Sequence, residues 1–191
     1  MARVIPFSTK FPAYHPKAGE RTYFVEKILN SMQINHRTIS YLKLLYELNH
    51  DKLCDTNSGM SKAVIVTFWN DLNGKVKENK LHTIRAGQRW KTGDIFSARV
   101  WSGIPYHSPQ IIFAPDTVIY TTTAIDLFHW SGSDFSAGKP DKLNPFTWSL
   151  ISVGELAKND GLAYDDFKHW FNVAKGPFNG QIISWSDKCK Y

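Results

Sequence analysis

The stretch that decides the fold is Lys80-Leu-His-Thr-Ile-Arg85, which is followed after a short gap by Trp90-Lys-Thr-Gly-Asp94. Residues 80–85 include β-branched side chains and are closed by Ala86-Gly87, which predicts a strand that ends in a turn. In the second stretch, Gly93 supplies the freedom that a turn needs, and Asp94 can hydrogen-bond its own backbone. The two stretches together predict a strand, a connection and the beginning of the next strand.

Short β-type runs continue on both sides of these stretches. They are rich in Val, Ile, Thr and aromatic residues, and they cover 63–69, 95–101, 110–114, 117–128, 148–153 and 180–185. A short helix is predicted over 162–173. Several short strands with peripheral helices predict an α+β fold built on a small β-barrel. Residues 131–146 contain Gly, Ser and Pro and are interpreted as a loop inserted into that barrel.

Two helical patterns precede the barrel. Apolar residues recur at helical spacing over 20–32 and again over 37–48. We therefore predict a single domain with an N-terminal helical extension, residues 1–62, and a barrel, residues 63–191, which suits a chain of 191 residues. Amphipathic helices of this kind usually cover a sheet.

The composition indicates a folded protein, with 42% hydrophobic and 21% charged residues. No apolar run approaches the ~20 residues that cross a bilayer, and the first residues lack the features of a secretory signal. With Cys54 and Cys189 as its two cysteines, the chain suits a reducing compartment, so we expect a cytoplasmic protein without a membrane partner. Zinc-hydrolase, P-loop, dinucleotide-binding and nucleophile-elbow motifs are missing, so we expect neither a metal nor a cofactor.

The net charge of +6 is concentrated in one part of the chain. Seven basic and two acidic residues lie between Lys75 and Arg99, a segment that contains Trp90 and leads into Trp101 and Tyr106. Basic residues interleaved with aromatic rings are typical of surfaces that neutralise phosphates and stack on bases. A solvated charged surface above buried rings explains the same pattern equally well.

The two opening stretches resemble the signature of the ASCH domain family, a branch of the PUA-like barrels, in which K-x-x-T-I-R precedes W-K-x-G-D. The segment 101–110 is similar to an extension found in many bacterial and phage members, and 159–167 resembles the acidic loop before the family's last helix. The resemblance covers residues 75–185. It implies a PUA-like fold and nucleic-acid-related chemistry, since the family includes acetylcytidine amidohydrolases and members described as ribonucleases or RNA-binding factors.

The amidohydrolases use a Lys, a Thr and a carboxylate, and the resemblance carries this set onto Lys80, Thr83 and Asp160. Asp160 follows from aligning the last helices on Phe167, and it is one methylene shorter than the Glu of those enzymes. Lys80, with a pKa lowered by burial and by Arg85, would take the Thr83 hydroxyl proton. Asp160 would orient Lys80 or protonate the leaving amine.

Lys80 and Thr83 are three positions apart, so strand alternation points them to opposite faces. A bulge or a strand end is needed to bring both into one pocket. Around them, Arg85 is expected to bind a phosphate or a carbonyl oxygen, while aromatic rings stack on a base. The substrate-binding candidates are His82, Arg85, Arg89, Trp101, Tyr106 and Gln110.

Three functions follow from these features. In the first, the chain hydrolyses a modified pyrimidine nucleoside, as acetylcytidine amidohydrolases do, or RNA, in a basic cleft. In the second, the same cleft belongs to a non-catalytic RNA or modified-base binding module; the partner in both is RNA or a nucleoside or nucleotide. In the third, residues 20–48 bind another protein. Without the resemblance, Thr83 is equally well explained as a β-former and Lys80 as a solvent-facing side chain.

Overall fold

The computed structural model describes residues 2–33, 76, 78–129, 135–141, 144, 147–189 and 191. These residues form an α+β fold, as predicted. Its elements are β1 (Arg3–Pro6), α1 (Phe24–Ser31), β2 (His82–Ala86), β3 (Ile95–Trp101), β4 (Gln110–Ile112), β5 (Thr117–Val118), β6 (Thr121–His129), β7 (Phe135–Pro140), β8 (Trp148–Ile151), α2 (Val153–Asn159), α3 (Tyr164–Phe171), a short 3-10 helix (Val173–Lys175) and β9 (Phe178–Ser184).

The described strands form two sheets and do not close into one barrel. In the first sheet, β3 pairs in parallel with β1 and antiparallel with β4 and β5. The second sheet is antiparallel and has the order β2-β9-β6-β7-β8. The chain passes between the sheets at Ile119 and Tyr120, where the Ile119 N–H donates to the Asp94 carbonyl and the Tyr120 N–H donates to the Ser184 carbonyl. The predicted strand 117–128 is therefore divided between the two sheets.

One hydrophobic core joins the two sheets and the helices. Phe96 and Val100 of β3 contribute fully buried side chains from the first sheet, and Ile125 and Ile183 do so from the second. Full burial of such a side chain contributes about 1.5–3 kcal/mol. The core thus fixes β2, β3 and β9 relative to α1, and these elements surround the site described below.

Residues 131–146, interpreted as an inserted loop, contain strand β7, which pairs with β6 and β8. Phe135 and Ala137 are buried, and a Cβ at Gly138 would lie 2.7 Å from the Cβ of Trp148 on β8. The Gly that indicated a loop is the residue that lets two strands approach closely. Tertiary pairing overrides the turn-like composition here.

The segment after β8 also differs from the prediction, because the predicted strand 148–153 ends at Ile151. The Ser152 Oγ accepts a hydrogen bond from the Glu155 N–H and so caps α2. Helix α2 ends at residue 159, where the predicted acidic loop begins, and Asp160 is its C-cap residue. Gly161 follows with a φ of 73°, the left-handed conformation that commonly terminates a helix.

The N-terminal part, predicted as a helical extension, begins with strand β1. Its partner β3 lies far along the chain, so no local sequence pattern predicts the pairing. Of the two predicted helices, 20–32 contains α1, whereas 37–48 lies outside the described residues, as does the predicted strand 63–69. None of the described helices is long and apolar enough to span a membrane.

Candidate active site

Lys80, Thr83 and Asp160 line one small cavity of about 40 Å3, which we call the deep cavity. Strand β2 begins at His82, so Lys80 lies before the strand and alternation does not separate it from Thr83. Asp160 reaches the same cavity from the C-terminal end of α2. Of the two ways to bring Lys80 and Thr83 together, the structure uses the strand end.

Backbone contacts hold Lys80 at this position. Its N–H donates to the Lys27 carbonyl of α1 (3.2 Å), and the next N–H, of Leu81, donates to the Asn159 carbonyl at the end of α2 (2.7 Å). A Cβ at Gly161 would lie 3.2 Å from the Lys80 Cβ, so the turn after α2 also packs tightly on this segment. Two helices therefore fix the chain just before β2.

The Lys80 and Asp160 side chains form a buried ion pair. Lys80 is 1% exposed, and its Nζ donates to the Asp160 Oδ1 at 2.5 Å and to the Asp160 carbonyl at 2.8 Å. The Nζ also lies 4.1 Å from the centroid of the Phe24 ring, which adds a cation–π contact. The Lys80 ammonium is therefore in contact with a carboxylate, a backbone carbonyl and an aromatic ring.

Burial shifts both pKa values of this pair toward the uncharged forms. It lowers the pKa of Lys80 to about 8, even though the Asp160 carboxylate acts in the opposite direction. It raises the pKa of Asp160, against the effect of Lys80. Burial therefore brings the two pKa values closer together, and a pair that shares one proton carries no net charge.

A larger cavity of about 410 Å3, which we call the outer cleft, adjoins the deep cavity. Phe7, Ser8 and Arg85 line both. The size falls in the range of about 300–1,000 Å3 that is typical of small-molecule sites, whereas the deep cavity has room for only a small group. The other walls of the outer cleft are formed by residues 9–12 on one side and by Trp101, Gly103, Pro105 and Tyr106 on the other.

Arg85 stands where the two cavities meet. Its Nη2 donates to the Pro6 carbonyl, and its guanidinium carbon lies 5.5 Å from the Phe7 ring centroid. The buried Nε has no hydrogen-bond partner among the described residues. Burial lowers the pKa of Arg85, with Asp160 opposing that shift. Arg85 therefore has an unused hydrogen-bond donor beside the junction of the two cavities.

The aromatic wall of the outer cleft is formed by Trp101, at the end of β3, and Tyr106, in the connection to β4. Their ring centroids are 5.2 Å apart, and Tyr106 is 83% exposed. Tyr106 has a φ of 66°, in the left-handed region. Ser108 stabilises this turn, because its Oγ accepts from the Gly103 N–H and donates to the Ile104 carbonyl. An exposed ring held in a defined turn suits stacking.

Three predicted substrate-binding residues lie elsewhere. Arg89 is exposed, and its carbonyl accepts from Arg3, while Gln110 pairs with Trp101 across β3 and β4 but lines neither cavity. His82 is fully buried and lies behind Asp160, with its Nε2 3.7 Å from the Asp160 Oδ1. His82 points away from Thr83 because neighbouring strand residues face opposite sides.

The concentrated charge does not gather in one cleft. Lys80 is paired inside the protein, Arg89 and Lys91 are exposed outside both cavities, and Lys75 and Lys77 lie outside the described residues. Sequence reasoning also missed the wall contributed by Phe7 and its neighbours. These residues follow β1, whose long-range pairing leaves no local signal.

No family model, curated protein or solved structure matches this chain. Within the part of the chain that the structure describes, His, Cys, Asp and Glu side chains do not gather in groups of three or more that could hold a metal ion.

Proposed function

We propose that this chain is an ASCH-type, PUA-like amidohydrolase that removes the acetyl group from an acetylated cytosine nucleoside. The observation that carries the proposal is that Lys80, Thr83 and Asp160 line one deep cavity beside a cleft of nucleoside size. The resemblance of the K-L-H-T-I-R and W-K-T-G-D stretches to ASCH sequences supplies the reaction class. The outer cleft would hold the nucleoside, and the deep cavity would hold the acetyl group.

The first half of the reaction transfers the acetyl group to Thr83. It begins once the proton of the ion pair has moved from Lys80 to Asp160, a shift toward which the burial of both groups acts. The Thr83 Oγ attacks the acetyl carbonyl carbon while the Lys80 Nζ takes the hydroxyl proton. The C–N bond then breaks, and Asp160 gives its proton to the leaving amine. An acetyl ester on Thr83, a Lys80 ammonium and an Asp160 carboxylate remain.

The second half restores the starting state. Asp160 takes a proton from a water molecule, whose oxygen attacks the ester carbonyl. The C–Oγ bond breaks, and the Thr83 oxygen recovers a proton from Lys80. Acetic acid leaves, so that the sum is one amide and one water converted to one amine and one acid. The Lys80–Asp160 pair is neutral overall before and after each half, and in each tetrahedral intermediate its one positive charge is balanced by the oxyanion, so no unpaired charge is buried.

Arg85 would stabilise the tetrahedral oxyanion of both halves. Its position between the two cavities and its unpartnered Nε–H support this role, because a substrate that spanned both cavities would have a fixed positive group beside its acetyl carbonyl. Stabilisation by a preorganised donor is usually among the largest contributions to catalysis. The Trp101 and Tyr106 rings would stack on the cytosine.

The test is the hydrolysis of N4-acetylcytidine by the full chain, with cytidine release followed by liquid chromatography. Thr83→Val keeps the shape of the side chain but lacks the nucleophile, so we expect turnover to fall at least about a thousandfold. Thr83→Ser keeps the hydroxyl and is the matched control, for which we expect measurable turnover. Equal turnover of Thr83→Val and the wild type would overturn the proposal.

A second candidate is the non-catalytic binding module, and the contacts of the Lys80 side chain favour it. The Lys80 Nζ already donates twice to Asp160 and packs on Phe24, as in a purely structural buried pair. In that case the wild type binds acetylcytidine, or binds RNA in a salt-dependent way, without turnover. Incubation with RNA in the same assay series separates this outcome from RNA cleavage.

A further inference from the structure

We propose that His82 and Tyr191 position the Asp160 carboxyl from outside the deep cavity and stabilise it while it is ionised in the acetyl-Thr83 state. This role rests on the proposed function, because it concerns the proton cycle of Asp160. Neither residue lines the cavity or touches a substrate, so both are positioning residues.

The contacts form a buried chain behind Asp160. The Asn159 Nδ2 lies 2.7 Å from the Tyr191 Oη, which lies 2.9 Å from the His82 Nδ1. On the other side of the ring, the His82 Nε2 lies 3.7 Å from the Asp160 Oδ1. His82 is fully buried, and its Nε2 has no hydrogen-bond partner among the described residues.

The donors in this chain determine which ring nitrogen of His82 carries the proton. The Asn159 Nδ2, an amide nitrogen, donates to the Tyr191 oxygen, and we infer that the Tyr191 hydroxyl in turn donates to the His82 Nδ1. The Cys189 Sγ, 3.9 Å from the same nitrogen, is a further weak donor. Burial and the nearby Lys80 charge lower the pKa of His82 well below its usual value, so the ring is neutral. The ring proton therefore resides on Nε2 and faces Asp160.

A proton on Nε2 has a use when Asp160 becomes a carboxylate. At 3.7 Å the two atoms are beyond hydrogen-bond distance, so the N–H gains a partner only if the carboxyl moves slightly toward His82. In the proposed acetyl-Thr83 state, Asp160 is ionised, and a buried carboxylate is stabilised by a second donor besides Lys80. The chain through Tyr191 keeps that donor from turning into an acceptor.

Two substitutions at His82 separate this role from simple packing. The amide nitrogen of Gln can occupy the place of Nε2, so His82→Gln keeps a donor toward Asp160. The shorter Asn reaches only the place of Nδ1, so His82→Asn keeps a partner for Tyr191 and loses the donor. With acetylcytidine as substrate, we expect kcat to fall about 10- to 100-fold in His82→Asn and by far less in His82→Gln, with little change in KM.

Melting temperatures control for packing, because both variants leave space in the core. If the two variants lose kcat in proportion to their loss in melting temperature, or if His82→Gln is as impaired as His82→Asn, the inference is wrong.

A second measurement does not depend on activity. Nitrogen-15 NMR of the full chain assigns the ring proton of His82, and we expect it on Nε2 in the wild type and a mixture of both forms in Tyr191→Phe. A proton on Nδ1 in the wild type overturns the inference and leaves the proposed function standing. Absence of wild-type turnover overturns the proposed function, and the positioning role falls with it whatever the NMR shows.

Discussion

The deep cavity and the outer cleft share Phe7, Ser8 and Arg85, yet they are built differently. The deep cavity carries a charged pair almost completely withdrawn from water, since Lys80 and Asp160 are 1% and 3% exposed. The outer cleft presents exposed surface, of which Tyr106 is the extreme case. In the proposed reaction the two regions have different tasks: the deep cavity, from which water is excluded, shifts the pKa values, and the outer cleft, which is open to water, binds the nucleoside.

This division has an energetic consequence. A substitution in the deep cavity leaves a buried partner unpaired, so it affects stability and chemistry together. Under the proposed function, a substitution in the wall of the outer cleft removes contacts with the nucleoside and leaves the buried pair intact. Substitutions in the two regions should therefore have separable effects on stability and on binding.

The largest effect is expected for Lys80→Met, which leaves the Asp160 carboxyl buried without its cation. We expect the free energy of unfolding, measured in urea, to fall by about 3–5 kcal/mol. The matched control is Lys17→Met, because Lys17 forms an ion pair with Asp166 at 2.7 Å but is 47% exposed. An exposed pair contributes at most about 1 kcal/mol. Equal losses in the two variants would mean that burial does not distinguish the pairs.

The next effect concerns pH. The proposed cycle needs one proton on the Lys80–Asp160 pair, so kcat/KM falls on the alkaline side once the pair loses that proton, and falls on the acid side once it binds a second. Because burial lowers the pKa of Lys80 to about 8 and raises that of Asp160, we expect a bell with its alkaline limb near pH 8. Its acid limb should lie above the usual carboxyl range.

The pH profile of Thr83→Ser is the control, because that variant keeps the pair intact and should show the same two limbs. An alkaline limb at the ordinary pKa of a solvated lysine would contradict the assignment of the Lys80–Asp160 pair to the proton cycle.

The smallest effect is expected in the outer cleft. Tyr106→Ala removes a stacking ring, which contributes about 1–3 kcal/mol per base, so the Kd for acetylcytidine should rise by roughly tenfold. Stability and kcat should stay near the wild-type values. Tyr120→Ala is the control, because Tyr120 is 58% exposed and lines neither cavity. The Kd values of the wild type and both variants would be measured by calorimetry. Equal Kd values for Tyr106→Ala and Tyr120→Ala would contradict binding in the outer cleft.

Local patterns were sufficient for part of this architecture. The Lys80–Arg85 stretch predicted β2, and the predicted run 95–101 coincides with β3, because both signals lie within a few consecutive residues. The juxtaposition of Lys80, Thr83 and Asp160 needed more than local pattern. The resemblance supplied Asp160, and the strand end that reconciles Lys80 with Thr83 was one of two options that spacing left open.

Other features depended on pairing between distant segments. Phe7 and Ser8 reach the site because β1 pairs with β3, and β7 forms because β6 and β8 flank it. His82 was predicted to contact the substrate, but strand alternation places it behind Asp160. Closure into one barrel was predicted from the number of short strands, whereas the described strands divide into two sheets at Ile119 and Tyr120.

In the proposed reaction, Thr83 carries the acetyl group during turnover. Rapid acid quenching of wild-type protein with N4-acetylcytidine, followed by peptide mass spectrometry, tests it directly. We expect a Thr83-containing peptide that is heavier by one acetyl group. This peptide should be present during turnover of the wild type and missing in Thr83→Val. Cytidine release without acetylated Thr83 at any quench time would contradict it.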